Sequence, residues 1–229
     1  MTETRSFSPA LFQYLNDLER NNERPWFQEN QDRYERSVRE PALQFIEDFA
    51  PRLETISPYF VADSRKVGGS LFRIQRDVRF TPDKTPYKTS VGIQFRHSRG
   101  RDVHAPGFYL HLEPGACFAG LGIWHPDGNA VRRIREAIDD DPDGWQEAAH
   151  GKRFTAVFSL DGDRLKRPPK GFDADHPLIE DLKFKDYVGA TRLTHKTVTS
   201  PGFLDSYATT CRAGAPFMAF LCTALDLPF

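Results

Sequence analysis

The middle of the chain alternates apolar and polar residues with a period of two, and this pattern constrains the fold most. In residues 91–95 and again in residues 108–113, every second side chain is apolar. Such alternation predicts half-buried antiparallel strands with one apolar and one polar face. We expect further strands in residues 71–76 and 116–124, and one more across residues 154–158, where Phe, Ala and Phe alternate with other residues.

Two glycines, Gly120 and Gly122, lie inside the strand predicted for residues 116–124. A glycine within a strand marks either a bulge or a close approach by another backbone or a ligand. Of these alternatives, the sequence favours the bulge.

Helical periodicity flanks this central part. Ser8 and Pro9 form a helix start, and Pro41 is expected to kink or restart a helix further on. Asp127 is placed to cap a helix inserted after the strands, and a C-terminal helical segment is expected to break at Gly214.

The order of these segments predicts an α+β fold in which a mainly antiparallel sheet is covered by N-terminal and C-terminal helices. We interpret residues 1–229 as one domain. Within it we expect a helical layer in residues 1–60, the sheet with its inserted helices in 65–160, and a long loop followed by C-terminal helices in 161–229.

Composition is typical of a soluble globular protein, with 39% apolar and 28% charged residues. The first residues lack the apolar segment of a signal peptide, and no run approaches the roughly 20 apolar residues of a membrane helix. The three cysteines are widely spaced, so we expect reduced core residues rather than disulfides or a zinc site. Together these features predict a cytoplasmic protein without a membrane partner.

A concentration of positive charge lies in residues 73–88, the segment that we call the basic bend. Five of its sixteen residues are cationic, whereas the whole chain has a net charge of −1. The positive charge is therefore local and requires local partners. These partners are either the protein's own carboxylates or an anionic ligand.

The spacing of charged and aromatic residues in the basic bend is a specific motif. It resembles the signature of a widespread bacterial family, also found within longer fungal proteins, whose members are catalogued as conserved proteins of unknown function. The matching residues are Arg73, Arg76, Asp77, Arg79, Phe80, Asp83, Lys84 and Tyr87. Residues 21–27, 106–109 and 169–177 are also similar to this family, so the resemblance covers nearly the whole chain. It implies no particular activity.

One interpretation of the basic bend is structural. If residues 71–76 form a strand, Arg76 lies on the same face as Phe72 and Ile74, and a buried guanidinium must be paired. Asp77 and Asp83 are the nearest carboxylates, so we expect Arg76 and Asp77 mainly to hold the fold. The other motif residues assigned to this structural signature are Arg73, Phe80, Asp83 and Tyr87.

The other interpretation is an anion site. Arg79, Lys84 and Lys88 lie in and after a Pro-rich turn, where their donors can converge on a phosphate or carboxylate. A charged, solvated turn is the alternative explanation. A second basic loop contains Lys170, which we expect to join the site, although this loop lacks the glycines of a phosphate-binding loop.

A candidate pocket follows from the polar face of the sheet. Tyr109, His111 and Glu113 lie in one row there, because alternate side chains share a face. We expect the main polar pocket to combine residues 76–88, 109–113 and 120–125, with Trp124 as an aromatic wall. The loop from Lys170 to His176 is expected to close it.

His111 is the candidate acid–base residue of this pocket, because imidazole titrates near neutral pH. His176 is a weaker candidate, since it also fits the start of a helix. No histidine spacing indicates a metal site, and the sequence identifies no cofactor.

Three functions remain. The favoured one is a protein that binds, or an enzyme that acts on, a small phosphorylated or otherwise anionic molecule. The second is a structural or interaction module whose basic motif is an internal ion-pair network. The third, nucleic-acid binding through residues 76–88 and 132–135, is disfavoured by the net charge of −1 and a pI of about 6.7.

Overall fold

A computed structural model describes residues 6–100 and 104–229. In this part of the chain five strands form one antiparallel sheet in the order β1-β2-β3-β5-β4. The strands are β1 (Val91–Arg96), β2 (Gly107–Leu112), β3 (Phe118–Ile123), β4 (Ser159–Asp161) and β5 (Tyr187–Arg192).

Helices precede, interrupt and follow these strands, as expected for an α+β fold. The N-terminal helices are α1 (Pro9–Arg20), α2 (Arg24–Glu29), α3 (Gln31–Tyr34) and α4 (Glu40–Ile56). The inserted helices are α5 (Gly128–Asp140), α6 (Pro142–Trp145), α7 (Lys152–Thr155) and α8 (Ile179–Leu182). The C-terminal helices are α9 (His195–Val198), α10 (Phe203–Ala213) and α11 (Ala215–Ala224), with Gly214 between the last two as predicted.

One face of the sheet forms the core. Phe95 of β1 is fully buried and packs on Phe49 of α4 and Tyr207 of α10, with ring centroids 4.7 and 6.3 Å apart. Because strand side chains alternate, the opposite face carries the remaining residues of each strand. We call this opposite side the open face. It carries Tyr109 and His111 of β2 and Gly120 of β3.

A π-helical turn, Glu35–Arg39, connects α3 to α4 and precedes Pro41. Proline has no N–H to bond the carbonyl four residues earlier, so the ladder must be rearranged at this point. The irregularity predicted at Pro41 therefore takes the form of a π-helical turn, after which the helix continues.

The predicted strand 71–76 is only partly formed. Leu71 pairs with Ile93, and Gln75 pairs with Tyr87, as two isolated bridges. Leu71 and Gln75 are four residues apart, whereas their partners Ile93 and Tyr87 are six residues apart. The second segment therefore has two extra residues, which interrupt the ladder. The basic bend is thus the end of an irregular hairpin attached to the edge of β1.

Two predictions for the C-terminal half were wrong. Residues 152–155 form helix α7, and the strand begins only at Ser159. Phe154 and Phe158 are four residues apart, a spacing that fits a helix turn as well as a strand, and their rings lie 5.4 Å apart. Strand β5 lies within the segment expected to contain only loop and helices, because its Gly189 and Ala190 weaken the apolar alternation.

The glycine pair of β3 does not mark a bulge. Each residue of β3 faces one residue of β2 or β5 without interruption. Gly122 has a φ of +118°, and a methyl group there would lie 2.1 Å from the Tyr187 carbonyl oxygen. A close approach by the neighbouring backbone explains this glycine.

The three cysteines are free and buried, as predicted. Burial raises the pKa of the Cys211 and Cys222 thiols to about 12, so both remain protonated at neutral pH. Within residues 6–100 and 104–229, we find no helix with the length and hydrophobicity needed to cross a membrane.

Candidate functional site

The tip of the basic bend is held by its own ion pairs. Arg76 contacts Asp83 and the hydroxyl of Thr85. The Thr85 backbone N–H, and then the Arg76 guanidinium, lower the pKa of Asp83 to about 2. The expected pairing of Arg76 is present, but the pair is not buried, since 27% of the Arg76 side chain and 58% of the Asp83 side chain are exposed.

Two of the predicted anion ligands also bond within the bend. Arg79 makes a bidentate contact with Asp77, with Nη2–Oδ2 and Nε–Oδ1 distances of 2.6 and 2.9 Å. This contact lowers the pKa of Asp77 below its usual range. Lys84 donates from Nζ to the Val78 carbonyl at 2.8 Å. The donors of Arg79 and Lys84 thus stabilise the bend, which leaves Phe80 at its tip 88% exposed.

Because the Arg76–Asp83 pair is solvated, we expect Arg76→Ala to destabilise the protein only slightly. The sequence alone suggested a large loss, on the assumption of a buried pair. Thermal unfolding of this variant beside the parent tests the revision. A loss of several degrees in melting temperature would contradict it.

Tyr87, the last residue of the motif, joins the bend to the helical layer. The Asn22 side chain accepts from Tyr87 N–H at 3.0 Å and donates to the Tyr87 carbonyl at 2.9 Å. The Tyr87 ring stacks on Phe27 of α2, with centroids 4.1 Å apart. Asn22 therefore provides hydrogen-bond partners for the backbone N–H and C=O of Tyr87, which face away from the hairpin.

Arg73 and Lys88 differ from the other cations of the bend. Within the described residues, neither has a carboxylate at ion-pair distance. Lys88 lies over the Phe72 ring, with Nζ 5.4 Å from the centroid. Desolvation, followed by repulsion from Arg73, lowers the pKa of Lys88. Neither residue forms an ion pair among the described residues, although, beside the hydrogen bonds from Arg79, the charge of Arg73 contributes to lowering the pKa of Asp77.

The Phe72 ring connects Lys88 to the open face of the sheet. Its centroid is 6.0 Å from that of Tyr109. Gly92 makes this packing possible, because a methyl group there would lie 2.7 Å from Tyr109 Oη and 3.0 Å from Phe72 Cδ2. The cation, the apolar ring and the Tyr109 hydroxyl therefore follow one another across the edge of the sheet.

Three polar side chains of β2 and the turn after it form a continuous hydrogen-bonded row. Tyr109 Oη is 3.0 Å from His111 Nδ1, and His111 Nε2 is 3.0 Å from Glu113 Oε2. The His111 ring stacks on Phe118 of β3, with centroids 4.8 Å apart. Its side chain is 17% exposed, so His111 is packed at the open face rather than in the core.

The hydrogen bonds of Tyr109, His111 and Glu113 form a continuous path along which a proton can move. Desolvation, and then the charge of Glu113, raises the pKa of Tyr109 to about 12. Tyr109 is therefore a phenol at neutral pH and donates to His111 Nδ1. His111 in turn can donate from Nε2 to the Glu113 carboxylate, which can only accept.

The other predicted ligands do not join this group. Trp124 is 56% exposed and stacks on His125, whose Nδ1 is 3.0 Å from Asp186. Lys170 is exposed in its loop. Among the described residues, no hydrogen bond, ion pair or ring contact links Trp124 or Lys170 to Tyr109 or Lys88.

Two cavities of the protein do not lie at the residues expected for the main pocket. A cavity of about 200 Å³ lies beside residues 61–70 and 96–100, and another of about 310 Å³ lies beside Asp139 and residues 171–176. His176 lines the second and contacts Asp139 at 3.0 Å, so the 170–176 loop packs against α5 and not over the polar row. The Tyr109 row lies on the open face of the sheet between the rings of Phe72 and Phe118.

Sequence inspection missed the contact between Asn22 and Tyr87. Asn22 lies 65 residues from Tyr87, and no local pattern indicates their pairing. The row of Tyr109, His111 and Glu113 could be found from the alternation alone. Within the part of the chain that the structure describes, no group of three or more His, Cys, Asp or Glu side chains could hold a metal ion.

The fold and site define a class of α+β protein in which a braced basic bend borders the polar face of an antiparallel sheet. Comparison with known families agrees with the resemblance noted from the sequence. The chain belongs to the conserved hypothetical protein family DUF2461, whose model matches residues 10–220. Neither a curated protein nor a solved structure matched the chain.

Proposed function

We propose that the protein binds a small phosphorylated or otherwise anionic molecule at Arg73 and Lys88, beside the open face of the sheet. The observation that carries this proposal is a half-buried ammonium group, that of Lys88, with no carboxylate partner among the described residues. Burying a cation without a partner is unfavourable. A bound anion would supply the missing charge.

The electrostatics of Lys88 support the same proposal. Its pKa is lowered by burial and then by the nearby positive charge of Arg73. A phosphate between the two side chains would offset both effects, because each cation would gain charge-assisted hydrogen bonds. In this proposal Arg79 and Lys84 do not contact the anion, and Trp124 and Lys170 have no part.

The structural alternative applies to a different set of residues. The internal contacts of Arg76, Asp77, Arg79 and Asp83 support an ion-pair network for the tip of the bend. The ion pairs of this network do not include Arg73 or Lys88. Both roles can therefore coexist in one motif, with the tip bracing the strand that carries the anion ligands.

Lys88→Gln should abolish stabilisation by phosphate. Millimolar inorganic phosphate is expected to raise the melting temperature of the parent protein, since a ligand at 100 times its Kd stabilises by about 2.7 kcal/mol. The matched control is Lys84→Gln, which removes a cation of the same bend whose Nζ bonds a carbonyl oxygen. It should keep the phosphate response. Melting curves with and without phosphate, at constant ionic strength, make the comparison.

The opposite pattern would move the site to the tip of the bend, as the sequence first suggested. An undiminished response in both variants would mean that phosphate acts elsewhere, whereas loss in both would support the site that the sequence predicted, with Lys84 and Lys88 together. A parent protein that phosphate does not stabilise would refute anion binding and favour the purely structural role.

We further propose a cytoplasmic location for the protein. The support is the set of three free, buried cysteines, since reduced thiols are typical of that compartment.

A further inference from the structure

We infer that Tyr109 is the acid–base group of this site, that it contacts a hydroxyl of a phosphorylated ligand, and that His111 and Glu113 form a proton relay behind it. This inference rests on the proposed function and adds a reaction type and a ligand class to it. It concerns the side chains of β2, whereas anion binding concerns those of the basic bend.

When His111 is neutral, the relay has one arrangement of protons that satisfies Glu113. Glu113 accepts through Oε2, so the proton of neutral His111 lies on Nε2, 3.0 Å away. His111 Nδ1 then has a free lone pair and accepts the Tyr109 hydroxyl proton across 3.0 Å. In this state Tyr109 Oη has lone pairs available to a ligand and no proton to give it. Tyr109 is thus prepared to accept a hydrogen bond from a ligand hydroxyl.

Proton transfer along the row is balanced. The ligand hydroxyl gives its proton to Tyr109 Oη while the proton of Tyr109 moves to His111 Nδ1. The products are a ligand alkoxide and an imidazolium that remains bonded to the Glu113 carboxylate. In the reverse direction, protonated His111 returns its proton to Tyr109, which then donates to the ligand. The exchange moves protons only and changes no oxidation state.

The side chains around His111 define the contacts of the relay. Glu113 is the carboxylate that contacts the ring, and the apolar Phe118 ring covers one side. Arg192 of β5 is paired with Phe118 in the sheet register, one strand further away. His195 approaches the backbone rather than the carboxylate of Glu113, and its Nε2 accepts from Gly115 N–H at 3.1 Å. The carboxylate in contact with the His111 ring is therefore that of Glu113.

The ligand class follows from the position of Phe72. Lys88 Nζ lies over this ring, and Tyr109 Oη lies beside its edge across Gly92. A ligand with its phosphate at Lys88 and Arg73 must cross the ring to reach Tyr109. It therefore carries a hydroxyl several bonds from the phosphorus, as phosphorylated polyols and sugars do.

Glycerol 3-phosphate and inorganic phosphate are the probes that test this inference, with dissociation constants measured by calorimetry. The parent protein should bind glycerol 3-phosphate about tenfold more tightly, because one hydrogen bond to a hydroxyl is worth about that factor. In Tyr109→Phe the two dissociation constants should become nearly equal while phosphate still binds. Lys84→Gln, the control, should keep the parent ratio.

The relay has its own measurement, the ¹⁵N resonance of His111 Nδ1. Glycerol 3-phosphate should move it towards the protonated position, since a hydroxyl that donates to Tyr109 strengthens the next hydrogen bond in the row. Inorganic phosphate should leave it unchanged, and so should glycerol 3-phosphate added to Tyr109→Phe. A merely structural Tyr109 would not transmit this effect.

The outcomes separate the two proposals. If phosphate binds but the parent shows no preference for glycerol 3-phosphate, or if His111 Nδ1 does not respond, the acid–base inference is wrong and anion binding stands. If neither probe binds, the proposed function itself fails, and the inference that depends on it falls as well.

Discussion

Gly122→Ala should prevent the protein from folding stably. The backbone of Gly122 has a φ of +118°, and an added methyl group would meet the Tyr187 carbonyl oxygen at 2.1 Å and Val188 Cα at 2.9 Å. Neither neighbour can rotate away, because both belong to the backbone of the adjacent strand β5. Strain and steric overlap together are expected to cost about 4 kcal/mol or more, a large part of the stability of a domain.

Gly120→Ala is the matched control in the same strand. A methyl group there would lie 3.7–3.8 Å from its nearest neighbours, which is ordinary van der Waals contact. This variant should be expressed and unfold like the parent. Soluble yield and urea unfolding of both variants make the comparison, and a stable Gly122→Ala protein would show that β3 and β5 are not packed as described.

Asn22→Ala should give the second largest effect, a loss of about 2–4 kcal/mol. The substitution leaves the N–H and C=O of buried Tyr87 without their partners, and each unsatisfied buried group costs about 1–3 kcal/mol. Because Lys88 is the next residue, we also expect weaker stabilisation by phosphate. Urea unfolding with and without phosphate measures both consequences.

Asn21→Ala provides the control for this change. Asn21 is exposed, and its side chain bonds the Asp17 carbonyl within the end of α1. Its loss should change the free energy of unfolding far less than the loss of Asn22. Equal effects of the two substitutions would argue that the helix end, rather than the attachment of the basic bend, determines the stability.

Local patterns were sufficient for much of the fold. Strands β1 and β2 follow from strict alternation, and their register buries every apolar residue on one side. Helix α5 begins after Asp127, whose side chain caps it as predicted. Strand β5 could not be recognised, because Gly189 packs against the Phe154 ring and has no side chain to contribute to the pattern.

The candidate site was only partly predictable. Lys88 and Tyr109 were both named from the sequence, but their connection through Phe72 depends on how the hairpin lies along β1. Arg79 and Lys84 were expected to face a ligand and instead bond Asp77 and the Val78 carbonyl. Counting cations and carboxylates in the basic bend cannot predict these contacts, because a cation can also bond a backbone carbonyl, as Lys84 does.

The sequence by itself determined the α+β class, the burial of the strand face and the family to which the chain belongs. These properties depend on periodicity and on a motif of neighbouring residues, so they are readable along the chain. The tertiary structure decided which cations lack a partner, why Gly122 must be glycine and how Asn22 holds Tyr87. Each of these depends on atoms that are distant in sequence and within a few ångströms in space, where hydrogen bonding, steric exclusion and desolvation operate.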